Sequence, residues 1–238
     1  MNRPLNIAIA GCGIGGLAAA VFLRRAGHAV TLYDQFAAPA PVGSGLVIQP
    51  VGQEVLARLG VLDAALSKGA PIYQMIGHEA ASGREVLNVH YGPRGRESFG
   101  LGIHRAALFE CLLVAARGEG LTIRASHEIT ETAITPKGRT LSFTNGQTSP
   151  AFDLVIDTSG AGSPLSPLRA KPTRYGAIWG TVDWPQDWPS ETVLPRDKLS
   201  QRYRRASHMM GVLPIGTLPD DDAPKAAVFW SLPQDKYE

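Results

Sequence analysis

Nineteen consecutive residues, Leu5 to Leu23, carry no charge. That is close to the length of a membrane span. Ile9-Ala10-Gly11-Cys12, behind Arg3, also has the form of a lipoprotein cleavage box. Glycine argues against the span: Gly11, Gly13, Gly15 and Gly16 crowd the middle of the run, and each costs a helix interior about 1 kcal/mol relative to Ala. Length argues against the signal: the apolar stretch before Cys12 is only Leu5 to Ala10, shorter than the roughly 7–15 residues of a signal core. A short buried strand over Leu5–Ala10, a glycine loop and a helix over Ile14–Ala26 account for more of the residues.

Gly11-Cys12-Gly13-Ile14-Gly15-Gly16 fits G-x-G-x-x-G in the context that pattern requires, after a strand and before a helix. Leu17, Ala20 and Leu23 recur at helical spacing. Arg24 and Arg25 suit a helix C-terminus, and Gly27 stands where the helix stops. Val30 and Leu32 then predict a second strand ending at Asp34. Each position has a physical task in holding a dinucleotide. Gly11 permits the tight turn, Gly13 lets the main chain approach a pyrophosphate, and Gly16 lets helix and strand pack closely. The helix N-terminus offers free N–H groups and positive dipole to the phosphates. Asp34 can accept ribose hydroxyls and disfavours a 2′-phosphate, so the loop suits FAD or NAD rather than NADP. Cys12 reads as a small spacer, with no base near it in sequence.

The remaining composition narrows the class. At 238 residues the chain is one large domain or two small ones. Lys and Arg number 23 and Asp and Glu 21, a net charge of +2, which gives no case for nucleic acid or an anionic membrane. Two cysteines, Cys12 and Cys111, build neither a disulfide framework nor a four-ligand zinc site, so a reducing cytoplasm is the simplest compartment. No metal-ligand cluster or nucleophile elbow is present in the sequence. Asp220-Asp221-Asp222 reads as a solvated loop.

Regular strand–helix alternation stops after Asp34. A Pro/Ala/Gly loop, Gln35–Gly45, leads to Leu46–Ile48 and a helix over Val51–Leu59. Ile72–His78 and Glu85–His90 predict two strands around a turn. His104–Arg117 predicts an amphipathic helix, with short strands at Leu121–Arg124, Ile129–Ile134, Thr140–Thr144 and Asp153–Ile156. From Tyr175 onward, Tyr175–Val182, Leu199–Arg204, Met209–Ile215 and Ala226–Leu232 predict an antiparallel sheet.

Four segments carry a resemblance: the loop Gly11–Asp34, Gly43-Ser44-Gly45-Leu46-Val47-Ile48-Gln49-Pro50, Ile103-His104-Arg105-Ala106-Ala107-Leu108, and Asp153-Leu154-Val155-Ile156. Together they are similar to the single-component FAD-dependent aromatic monooxygenases, the p-hydroxybenzoate hydroxylase-like group. The resemblance covers the whole chain and is closest up to Arg169. It implies an α/β fold: a Rossmann-like FAD-binding domain with a βαβ start, plus an antiparallel-sheet substrate domain. The FAD-binding domain would take residues 1–170, with 71–100 giving strands to the substrate sheet, and 171–238 would form a partial substrate domain. It implies FAD contacts at Gly11, Gly13, Gly15, Gly16, Asp34, Gly45 and Arg105, at Ile129 through its backbone to adenine, and at Asp157. Trp179, Tyr203, His208, Met210 and Trp230 are candidates to line a substrate pocket. It also implies NAD(P)H as transient reductant, O2 as co-substrate and a small aromatic molecule that receives one oxygen atom. The cofactor carries the hard chemistry, so no catalytic side chain is named.

Two departures stand out. Where the family has Asp-Gly after the fourth segment, this chain has Ser159-Gly160. Asp157 is the candidate substitute; a strand-end Asp capping the next turn is the other reading. The family's downstream Gly-Asp motif is also missing before Glu238, so the expectation is a chain incomplete at its C-terminus. Two other function classes stay open. One is another FAD oxidoreductase of reductase or halogenase type, although Trp184 and Trp188 lack the halogenase context. The other is a non-catalytic nucleotide-binding remnant.

Overall fold

The computed structural model describes residues 3–38, 40, 43–92, 98–168, 171–185 and 194–236. In chain order it runs β1 (Asn6–Ala10), α1 (Ile14–Arg25), β2 (Ala29–Tyr33), β3 (Gly45–Ile48), α2 (Pro50–Leu59), α3 (Leu62–Lys68), β4 (Ala70–Ile72) and β5 (Gln74–Glu79). It continues with β6 (Glu85–His90), β7 (Gly100–His104), α4 (Arg105–Gly118), β8 (Thr122–Arg124), β9 (Ile129–Thr135) and β10 (Gly138–Phe143). Last come β11 (Leu154–Asp157), β12 (Tyr175–Asp183), β13 (Lys198–Arg204), β14 (His208–Pro214) and β15 (Lys225–Pro233). Trp188 and positions 39, 41 and 42 of the loop before Gly45 lie outside the described residues. No helix among the described residues is long and apolar enough to cross a membrane; the uncharged run at the start divides into β1, the glycine loop and α1.

The chain divides into two units, Met1–Pro41 with Phe109–Lys171, and Val42–Leu108 with Pro172–Glu238. In the first, a four-stranded sheet has the order β11-β1-β2-β8, and every pair is parallel. Because crossovers cover the faces of a parallel sheet, its strands read as apolar runs. Ile7, Ala8, Ile9 and Ala10 are fully buried, as is Leu32. Helix α1 buries Gly16, Leu17, Ala20 and Val21; a fully buried Leu contributes roughly 1.5–3 kcal/mol. On the other face of β2, Tyr33 packs with Ala8, Leu141, Phe143 and Phe152, its ring 5.1 Å from that of Phe143.

The second unit holds a six-stranded sheet, β12-β15-β14-β13-β5-β6, and a three-stranded one, β3-β7-β4. Ile72, Leu199, Leu213, Ile215 and Ala227 form its core, with Val47, Met75 and Phe229 packed against them. Four features differ from the sequence expectation. Ile72–His78 is not one strand: β4 pairs with β7 and β5 with β13, and the chain changes sheet at Tyr73, whose N–H donates to Asp197 O at 2.8 Å. The β5–β13 pair is parallel within an otherwise antiparallel sheet. A second helix, α3, follows Gly60, which ends α2 in the left-handed region at φ +72°. Strand β7 precedes α4; its Gly100 and Gly102 hide it from a propensity reading, yet a Cβ on Gly102 would sit 2.2 Å from Pro214 O. The Asp220–Asp222 loop is also pinned rather than only solvated. Asp221 and Asp183 both hold the Lys225 ammonium, which is 8% exposed.

Candidate functional site

The four glycines after β1 divide into two kinds. Gly11 sits at φ +97°, and its N–H donates to Tyr33 O at 2.8 Å. A Cβ there would lie 2.7 Å from Thr158 O, and a Cβ on Gly16 would lie 2.1 Å from Gly11 O. These two positions are glycine because the chain's own backbone fills the space. Gly13 and Gly15 are different: a Cβ on either would meet no atom within 4 Å. Gly13 is the N-cap of α1 in extended backbone (φ −78°, ψ −175°), with no side-chain cap and no acid in the first turn. Leu17 N–H donates to Gly13 O at 2.9 Å and starts the helix. The helix start therefore presents N–H groups and about half a positive charge to open space. This niche fits a phosphate.

Asp34, the residue after β2, accepts the Cys12 N–H at 2.7 Å on one carboxylate oxygen and the Phe36 N–H at 2.9 Å on the other. It fastens the loop to the end of β2, and its remaining lone pairs are open to further donors. The Cys12 thiol is pushed up to about 12 by burial and then by the Asp34 charge, partly offset by Arg117. It is a neutral thiol at physiological pH, in keeping with a spacer.

Sequence reasoning missed Thr158. Its hydroxyl lies 2.8 Å from Ala10 O and 2.9 Å from Gly11 O, and its N–H donates to Ala10 O at 2.8 Å. It latches the end of β11 to the turn out of β1. Only the strand pairing reveals it, since Ala10 stands opposite Asp157. Asp157 ends β11 and accepts the Ser159 N–H at 3.1 Å, the Ser159 hydroxyl at 2.5 Å and the Ser163 hydroxyl at 2.5 Å. Burial pushes its pKa up, but these serine hydrogen bonds outweigh it and leave the carboxyl below its usual range. Its contacts are those of a turn cap. Ile129 opens β9 and packs against the Tyr33–Phe143 cluster.

Gly45, Arg105 and His104 lie in the second unit. A Cβ on Gly45 would meet Ile215 Cγ2 at 2.2 Å and Ala227 Cβ at 2.9 Å, so packing requires a glycine there. Arg105 is exposed, begins α4, and donates its N–H to Ser44 O at 2.9 Å. His104 accepts the Ala106 N–H on Nδ1 at 3.1 Å, and burial lowers its pKa. It caps the first turn of α4. The five pocket candidates do not share one face. Trp230 stands opposite Met210 with His208 two residues along, whereas Trp179 stands opposite Phe229 and Tyr203 opposite Met209 on the alternate face. They cannot all line a single pocket.

A family model described as FAD binding domain matches residues 5–166. Hispidin-3-hydroxylase of Neonothopanus nambi is 32% identical over 173 residues, 69% of this chain and 39% of that protein. The 6-hydroxynicotinate 3-monooxygenase of Bordetella bronchiseptica is 29% identical over 216 residues, 88% of this chain and 55% of that protein. The structure of 2,6-dihydroxypyridine-3-hydroxylase from Arthrobacter nicotinovorans superposes with a TM-score of 0.79 at 22% identity, over 98% of this chain and 57% of that one. The chain thus spans about half the length of the proteins it matches. On the extent of that match, residues 5–166, the chain belongs to the FAD-binding-domain family, and the proteins it is similar to are named as hydroxylases and monooxygenases.

Proposed function

We propose that this chain is the FAD-holding portion of a monooxygenase that uses NAD(P)H and O2 to place one oxygen atom on a small aromatic substrate. The observation that carries the reading is the open niche at Gly13, in front of the uncapped start of α1 and beside Asp34. In this reading the main chain of Gly11, Gly13, Gly15 and Gly16 receives the pyrophosphate, and Asp34 accepts the ribose hydroxyls with the lone pairs left by Cys12 and Phe36. Arg105 and Gly45 contribute FAD contacts, and Ile129 meets the adenine through its backbone. Asp157 serves through the Ser159–Ser163 turn that it holds. Residues 1–170 serve FAD, and 171–238, with strands from 71–100, serve the substrate side. When bound, FAD supplies the redox and oxygen chemistry; the protein binds, orients and excludes water. The two-cysteine composition suits a cytoplasmic setting.

The test is to load the whole enzyme that carries this chain with FAD and follow NADH or NADPH oxidation in air, with and without hydroxylated aromatic and pyridine carboxylic acids. The reading predicts substrate-stimulated oxidation and a product one oxygen atom heavier. A protein that binds NAD and ignores FAD would be a dehydrogenase instead.

A further inference from the structure

We propose that Gly43 is a positioning residue for Arg105, on a seat fixed by Ser44; the proposal rests on the reading above in which Arg105 contacts FAD. Ser44 is 6% exposed and anchored on two sides. Its carbonyl accepts the Arg105 N–H at 2.9 Å, and its hydroxyl shares a hydrogen bond with Thr181 Oγ1 at 2.9 Å. Gly45, the next residue, is packed without clearance against Ile215 and Ala227. The main chain at Gly43 is therefore held in register with the start of α4.

Gly43 sits at φ +108°, where L side chains are rare, and a Cβ on it would lie 2.6 Å from Arg105 Cδ, 3.0 Å from Nε and 3.5 Å from Cζ. The arm of Arg105 occupies the volume that any side chain at position 43 would fill. That contact runs along the middle of the arm, so relief means changing a rotamer and swinging the guanidinium elsewhere. Among the described residues no carboxylate pairs with Arg105. What orients its charge is the shape of the chain beneath it. A long cationic side chain loses much rotamer freedom when it binds. Confinement before the ligand arrives lowers that loss, which is preorganisation.

The test is a double-mutant cycle on this chain with Gly43→Ala and Arg105→Ala. FAD dissociation constants come from flavin fluorescence, and thermal midpoints are measured without FAD. Arg105→Ala is expected to weaken FAD about tenfold, the loss of one charge-assisted contact. Gly43→Ala is expected to weaken it about two- to tenfold through the displaced rotamer. The double variant should bind no worse than Arg105→Ala alone. Removing the arm should also restore part of any midpoint that Gly43→Ala loses. If Arg105→Ala binds FAD like the parent, the underlying reading fails and the proposal with it. If Arg105→Ala weakens FAD but Gly43→Ala does not, or the two effects multiply, the proposal alone is overturned. Equal loss of midpoint or of folding in both backgrounds assigns Gly43 to backbone strain and also overturns it.

Discussion

At the residue scale, Gly16 and Gly13 share a motif but have opposite surroundings. Gly16→Ala drives a methyl against Gly11 O at 2.1 Å, and backbone cannot yield as a side-chain tip can. Its unfolding free energy, from urea denaturation, should fall by about 1–3 kcal/mol, the range for overpacking. Gly13→Ala meets nothing within 4 Å and should stay within about 1 kcal/mol of the parent, the helix N-cap preference of Gly over Ala. A loss at Gly13 as large as at Gly16 would contradict this division. Asp34→Ala removes the acceptor of two backbone N–H groups, so it should cost roughly 2 kcal/mol of stability as well as FAD affinity. An unchanged urea midpoint would remove Asp34 from the loop's framework. The glycines were legible in the sequence because a missing side chain states its purpose at a fixed spacing. Thr158 was not, because its partners Ala10 and Gly11 become neighbours only when β11 pairs with β1.

At the scale of elements, the start of α4 titrates. His104 caps it as a neutral acceptor from Ala106 N–H, and burial holds its pKa below the ordinary 6.5. The unfolded chain therefore takes up the proton first as pH falls. The contribution of His104 is complete above about pH 6.5 and is lost as pH drops through its lower folded value. His104→Asn keeps a capping acceptor that does not titrate in this window. The urea midpoint of the parent should fall more than that of His104→Asn between about pH 7.5 and 5.5; parallel profiles would refute the cap's role. Helices α1 and α2 were legible from apolar spacing and glycine stops. Strand β7 was not, since Gly100 and Gly102 carry no β-propensity and are dictated by close neighbours such as Pro214 O. The break at Tyr73 was equally hidden, because an apolar run does not say which of two sheets each half joins. Alternation along β12, β14 and β15 places on opposite faces aromatic residues that lie close together in the linear sequence pattern.

At the scale of the molecule, the parallel β11-β1-β2-β8 sheet and the glycine loop form one piece of architecture. Leu154–Asp157 must close beside β1 for Thr158 to latch the turn, so residues about 150 positions apart build one niche. The sequence indicated the family from short segments. The pairing of distant strands that shapes the niche needed the fold. Ligand that binds only the folded state stabilises it. Saturating FAD should therefore raise the thermal midpoint of the parent and leave that of Gly13→Asp where it was. The most direct measurement is a fluorescence titration of FAD into the parent and into Gly13→Asp, with far-UV circular dichroism on both. Open space at Gly13 lets the variant fold, while a carboxylate before the N–H groups of α1 repels the pyrophosphate. Matching spectra and an affinity loss of about a hundredfold or more, equal to roughly 3 kcal/mol, are expected. Equal FAD affinity in two folded proteins would contradict this expectation.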